Sequence, residues 1–165
     1  MARSIAPARV TADDIMEYDL DADPIDPQGR GSFLERFIHG EAYRARPDVN
    51  AVVHSHSPSV IPYGLTGMPM RAMYHNSAFL AEGVPIFRIE EKFGATNMLV
   101  SNNAMGLELA RVLGDSHVAL MRAHGITGWR RHGTLRVQGG RMKAEGRSGR
   151  VQVDFVFRAA KLAVF

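Results

Sequence analysis

Two histidines one residue apart, His54 and His56, end the apolar run Ala51-Val52-Val53. If that run is a strand, side chains at i and i+2 share a face and two imidazoles stand side by side at its end. Such a pair is a natural start for a divalent-metal site, which takes its remaining ligands from elsewhere in the chain. The plainer reading is two polar strand-end residues, so the surroundings decide. His124 also follows an apolar run, His117–Arg122, and precedes Gly125. Three imidazoles converging from strand ends leave coordination positions open to water or substrate, the pattern of a catalytic rather than a structural site.

The carboxylate that suits such a site best is Glu35. It serves as general acid or base, or fills an open metal position at rest. The same residue stands three after Ser32 and completes a capping box, Ser32-Phe33-Leu34-Glu35, at the start of a helix. The two roles are compatible. His39 lies one helical turn further on the same face and reads as an ordinary helix histidine. His75 reads as a loop histidine, and His117 and His132 as structural or exposed.

The elements that must position these groups follow from periodicity and breakers. Thr11–Asp14 reads as a turn, Ile15–Leu20 as a half-exposed strand, and 21–31, rich in Asp, Pro and Gly, as a loop. Phe33, Phe37, Ile38 and Ala42 lie at helical spacing, in a helix that closes near Arg46 before Pro47. Val49–His54 is a buried strand. Ser57-Pro58 opens a second helix running to Leu65. Val84–Ile89 is a strand that begins at its proline, while Met73–Ala81 is ambiguous. Ala104–Leu113 is a helix capped by Asn102 or Asn103 and closed by Gly114. His117–Arg122 is a strand, and Val151–Phe157 alternates as one. Alternating strands and helices make a mixed α/β layered domain.

Composition narrows the function. The chain has 165 residues, 45% hydrophobic and 22% charged, with no cysteine. That allows one globular domain, excludes thiolate ligands, and fits a cytoplasmic protein. No apolar run approaches a membrane span, and the first residues lack the apolar core of a secretory signal. The net charge of +3 is uneven. Between Trp129 and Arg150 seven basic side chains face one acidic, a local +6 that leaves −3 elsewhere. The fold as a whole is therefore not expected to bind nucleic acid. Asp13–Asp26 holds seven acidic residues but lacks the EF-hand spacing, and reads as a solvated loop. Gly-rich phosphate-binding signatures and the Gly-x-Ser-x-Gly elbow are absent.

The segments Glu35-Arg36-Phe37-Ile38-His39, Ala42–Pro58 and Leu120-Met121-Arg122-Ala123-His124-Gly125 together resemble the class II aldolase/adducin family. The resemblance implies an α/β/α layered domain with a central, mainly antiparallel sheet. It implies a zinc ion, or alternatively manganese, on His54, His56 and His124, with Glu35 as catalytic acid/base. It implies a carbon–carbon lyase, aldolase or decarboxylase, in which the metal stabilises an enediolate-type intermediate of a small hydroxy-carbonyl or hydroxy-acid substrate. Ser4–Ile15 and Val60–Pro62 look more similar to the branch that decarboxylates hydroxylated aromatic dicarboxylates. A homotetramer is expected as well. The family also holds adducin-type interaction modules without catalysis, which is the alternative. The resemblance covers residues 1–128. Relative to the family the chain starts late, and 129–165 reads as a divergent basic tail with an altered reading frame.

Overall fold

The computed structural model describes residues 1–130 and 151–152. Its helices are α1 (Arg36–Ala45), α2 (Ile61–Thr66), α3 (Ile89–Phe93) and α4 (Asn103–Leu113). Its strands are β1 (Ala51–Ser55), β2 (Ile86–Phe87), β3 (Val118–Met121), β4 (Gly125–Arg130) and β5 (Val151–Gln152). Single turns of 3-10 helix cover Pro7–Arg9 and Ala12–Asp14, and a longer one His75–Leu80.

The strands form one sheet in the order β2-β3-β4-β1-β5. Its long ladders, β3 with β4 and β4 with β1, are antiparallel, and the two-residue pairings of β2 with β3 and β5 with β1 are parallel. This is the mixed α/β/α domain with a mainly antiparallel sheet that the sequence implies.

The core lies between α1, α4 and one face of the sheet. Ile38 and Tyr43 of α1, Leu109 and Leu113 of α4, Val52 of β1, Ala119 and Met121 of β3, and Trp129 of β4 form one buried cluster. Leu120 points to the other face and is buried too, so both faces are covered. Helix α4 starts where Asn102 Oδ1 accepts from Met105 N at 3.0 Å. The two helices cross closely at Gly106, where an added Cβ would lie 2.6 Å from the Phe37 carbonyl oxygen and 3.0 Å from Glu41 Cγ. Gly106→Ala is therefore expected to lower stability by about 2 kcal/mol, read as a lower urea midpoint at unchanged slope.

Several boundaries move from their expected places. Helix α1 begins at Arg36 with Glu35 as its N-cap, and no side chain caps it. Ser32 Oγ accepts from the Tyr18 hydroxyl at 2.9 Å instead, so the capping box is not formed. Helix α2 starts at Ile61, with Pro62 rather than Pro58 in its first turn. The run Val84–Ile89 divides into the short β2 and α3. Ile15–Leu20 contributes only isolated bridges, Ala2 with Ile15 and Tyr18 with Pro24. Met73–Ala81 resolves into the 3-10 helix. Strand β4 is new, and the boundary expected at residue 128 falls inside it. Of the strand expected over 151–157, Val151 and Gln152 lie in β5, and the rest lies outside the described residues, as does His132.

The N-terminal segment is fastened through Asp14. Its carboxylate accepts from Arg3 Nε at 2.5 Å and from Thr11 N and Oγ1 at 2.8 and 2.9 Å. The Arg3 bond, then those from Thr11, pull its pKa from 3.8 down to about 2. A depressed carboxylate contributes stability that is present above its unfolded pKa and lost as pH falls through the folded one. Stability attributable to Asp14 should thus fade between about pH 4 and pH 2. Urea midpoints against pH should show this component in the wild type and not in Asp14→Asn.

Candidate metal centre

β1 places Val52, His54 and, just past its end, His56 on the face that meets α1. Opposite His54 in the ladder stands Thr127 of β4. Directly opposed residues on one face lie within side-chain reach, and Thr127 Oγ1 is 3.0 Å from His54 Nδ1, with the Ile126 carbonyl oxygen at 3.2 Å. His124 sits in the tight turn joining β3 to β4, after Ala123 at φ +56°. Glu35 enters from the start of α1. The turn and β1 come together because Gly125 has no Cβ. One there would lie 2.2 Å from the Ser55 carbonyl oxygen and 3.2 Å from His56 Cδ2.

The four side chains converge. His56 Nε2 is 2.8 Å from His54 Nε2 and 2.7 Å from His124 Nε2. Glu35 Oε2 lies 3.3 Å from His54 Nε2 and 3.4 Å from His56 Nε2, and Oε1 lies 3.2 Å from His124 Nε2. His124 Nδ1 is 2.7 Å from the carbonyl oxygen of Met98. A carbonyl only accepts, so that Nδ1 carries the hydrogen and the neutral ring keeps its lone pair on Nε2. His54 is turned the same way by Ile126. With lone pairs on His54 and His124 Nε2, contacts at such distances call for a hydrogen on His56 Nε2 or a cation among the rings.

The donor set fits a divalent ion. Nitrogen and oxygen ligands at about 2.0–2.1 Å from a metal lie roughly 2.9–3.4 Å from one another. The carboxylate–imidazole distances fall in that range, and the two imidazole–imidazole contacts are a few tenths of an ångström tighter. Imidazole and carboxylate suit zinc and its first-row neighbours. Among the described residues this is the group of His, Asp and Glu side chains gathered closely enough to hold an ion.

In the metal-free site the same four groups act on one another. Burial opposes ionisation of Glu35, but pairing with His124, His54 and His56 outweighs it and holds the carboxyl well below the usual carboxylate range. Burial holds His54 below the ordinary imidazole value. Burial acts on His124 in the same sense, but Glu35 and the Met98 carbonyl overcome it and raise that ring. Without a metal, the His124 ring carries a proton more readily than that of His54.

The remaining histidines among the described residues stand apart. His39 is buried in α1. His75 is exposed beside Tyr74, and His117 meets the Phe79 ring edge-on. In the acidic stretch 13–26, Asp19 accepts from main-chain N–H groups of a local turn, and Asp14 and Asp21 pair with Arg3 and Arg44. Sequence reasoning missed Thr127, Met98 and Val100, whose N–H donates to Glu35 Oε1 at 3.2 Å. Two of those three act through main-chain atoms, which leave no mark in residue type. No helix of the described residues is long and apolar enough to cross a membrane.

Fold and donor set together define a layered α/β domain whose strand ends carry a His/Glu cluster that fits a cation. Residues 2–133 match the class II aldolase and adducin N-terminal domain, and the chain belongs to that family. It is 37% identical over 140 residues to decarboxylase tropJ of Talaromyces stipitatus, covering 77% of this chain and 53% of that protein. It is 34% identical over 125 residues to the 3,4-dihydroxyphthalate decarboxylase of Arthrobacter keyseri, covering 70% and 48%. The chain thus spans about half the length of these curated relatives. In fold it is similar to L-fuculose-1-phosphate aldolase from Thermus thermophilus, with a TM-score of 0.62 at 20% identity over 81% of this chain and 62% of that one.

Proposed function

We propose that the domain acts as a divalent-metal-dependent carbon–carbon lyase, and specifically as a decarboxylase of a small hydroxylated aromatic acid. The observation that carries this is the convergence of three imidazole Nε2 atoms, two of them on rings fixed by outward Nδ1 contacts, around the Glu35 carboxylate. His54, His56 and His124 would hold zinc, or alternatively manganese. When bound, such an ion supplies Lewis acidity that neutralises charge developing on a substrate oxygen.

The chain's own groups do the rest. Decarboxylation breaks the ring-carbon–carboxylate bond, leaves its electron pair on the organic fragment, and requires a proton at that carbon. Glu35 would carry this proton. In the metal-free site its surroundings keep it ionised, so in the reaction it would first take the proton of a substrate hydroxyl and then deliver it to that ring carbon. The same groups would serve aldol cleavage. The names of the relatives favour decarboxylation, as do the segments Ser4–Ile15 and Val60–Pro62 singled out in the sequence.

The test is an assay with added Zn²⁺ or Mn²⁺ on hydroxylated aromatic dicarboxylates and on sugar phosphates. Release of carbon dioxide from an aromatic acid, abolished in Glu35→Gln, is the expected result. Cleavage of a sugar phosphate instead would move the assignment to aldolase. No turnover with metal bound would leave the adducin-like, non-catalytic module. We also propose that the chain self-assembles, as a tetramer. Exposed apolar side chains from Leu65 to Phe79, among them Met68, Met73 and Tyr74, support this.

A further inference from the structure

The segment between α3 and α4 runs from Gly94, at φ +67°, to the α4 cap Asn102. Its main chain touches the metal centre twice. The Met98 carbonyl oxygen receives His124 Nδ1 at 2.7 Å, and the Val100 N–H meets Glu35 Oε1 at 3.2 Å. Glu35 Oε1 and His124 Nε2 are themselves 3.2 Å apart. The contacts close a ring from Met98 through His124 and Glu35 to Val100.

The segment is held in an unusual shape to do this. Met98 has φ +65°, a left-handed conformation that long side chains rarely adopt. Two flanking side chains fix it: Thr96 Oγ1 accepts from Met98 N at 2.9 Å, and Asn97 Oδ1 accepts from Leu99 N at 3.1 Å. Val100 is fully buried and anchors the far end. Of the four non-glycine residues with positive φ among the described residues, two, Met98 and Ala123, adjoin His124. Strain that persists in a fold is held there by its surroundings, and it gathers at functional sites.

We infer that 96–100 is a positioning strap for the metal centre. Thr96 and Asn97 are its positioning residues: they shape the main chain that sets the ring orientation of His124 and the place of the Glu35 carboxylate. The inference rests on the metal-centre reading above. An outer hydrogen-bond partner fixes which ring nitrogen faces the ion and how the ring is aimed, and its removal typically weakens binding 10–100-fold. Thr96 acts one bond further out, so the lower end applies.

The experiment is titration of the metal-free full chain with Co²⁺, read by affinity and by the visible d–d absorption of the bound ion. Thr96→Val should bind about tenfold more weakly, with an altered d–d band and an unchanged melting temperature of the metal-free protein. Thr96→Ser, which keeps the hydroxyl, should restore both affinity and band. Asn97→Ala, at an exposed position with little effect on folding, should shift the band in the same way. Wild-type affinity and spectrum in both Thr96→Val and Asn97→Ala would overturn the strap, as would Thr96→Ser failing to rescue. A wild-type chain that takes up no Co²⁺ would overturn the metal centre itself, and the strap with it.

Discussion

Gly125→Ala should cost the chain both stability and metal uptake. The added Cβ would lie 2.2 Å from the Ser55 carbonyl oxygen, and what it meets is backbone, not the yielding end of a side chain. Relief requires β1 and β4 to part by about an ångström at the end of their ladder, where Ser55 pairs with Ile126. His56 and His124 sit on the two sides of that contact, so the imidazoles separate as the strands do. Overpacking costs about 1–3 kcal/mol where side chains can shift. Here the upper end, about 3 kcal/mol, is expected, which lowers the melting temperature by roughly 10 °C. Gly67→Ala is the comparison. Gly67 has φ +70° with open space around it, so that change adds only the left-handed strain of about 1 kcal/mol and leaves metal uptake intact. Equal losses in the two variants would show that strand spacing at Gly125 is not what matters.

His54→Ala/His56→Ala should abolish metal uptake. Elemental analysis should find about one divalent ion per wild-type chain and none in the double variant. The same difference appears in stability, because an ion bound only by the folded chain adds about 2.7 kcal/mol at a hundredfold excess over its dissociation constant. Added zinc should raise the melting temperature of the wild type and leave that of the variant unmoved. The two histidines are not equivalent. His54 is buried against Thr127, and its loss leaves that hydroxyl without its ring partner, a cost of about 1–2 kcal/mol. The His56 side chain is 41% exposed. His56→Ala alone should therefore lose the ion with little change in the metal-free protein, separating binding from folding. Wild-type protein purified without metal, and unmoved by zinc, would contradict the site.

The centre was legible in the sequence where residue type and spacing carry it. A spacing of two on an apolar run places His54 and His56 together, and a histidine before a glycine at the end of a second run marks His124. Glu35 was legible as a carboxylate in the first turn of a helix. Its capping role was not formed, because Ser32 is engaged by Tyr18 and the Glu35 carboxylate turns to the imidazoles. Strand β4 was hidden by its own glycines and by the basic residues that follow Trp129. Gly128 looks like a strand breaker, yet a Cβ there would lie 2.7 Å from Val118 Cγ1 and 2.9 Å from the His117 carbonyl oxygen. The close approach of β3 demands the residue that obscures the strand. Trp129, which seemed to open a different segment, is buried in the core with Arg46 stacked 4.9 Å from its ring centre. Helix α3 was lost because Ile89 continues the apolar run of β2 in sequence while entering the core from a new turn of chain.

The β3–β4 turn places His124 against His56, a residue 68 positions earlier in the chain. An ion shared by the two, and by Glu35 further back still, closes a loop that spans most of the folded domain. Cross-links of that span act strongly on the unfolded chain, because they remove the entropy it gains when distant segments drift apart. In a chain without cysteine, the ion would serve as a reversible clasp between the start of α1, the end of β1 and the β3–β4 turn. Losing it would loosen three distant stretches of the chain at once.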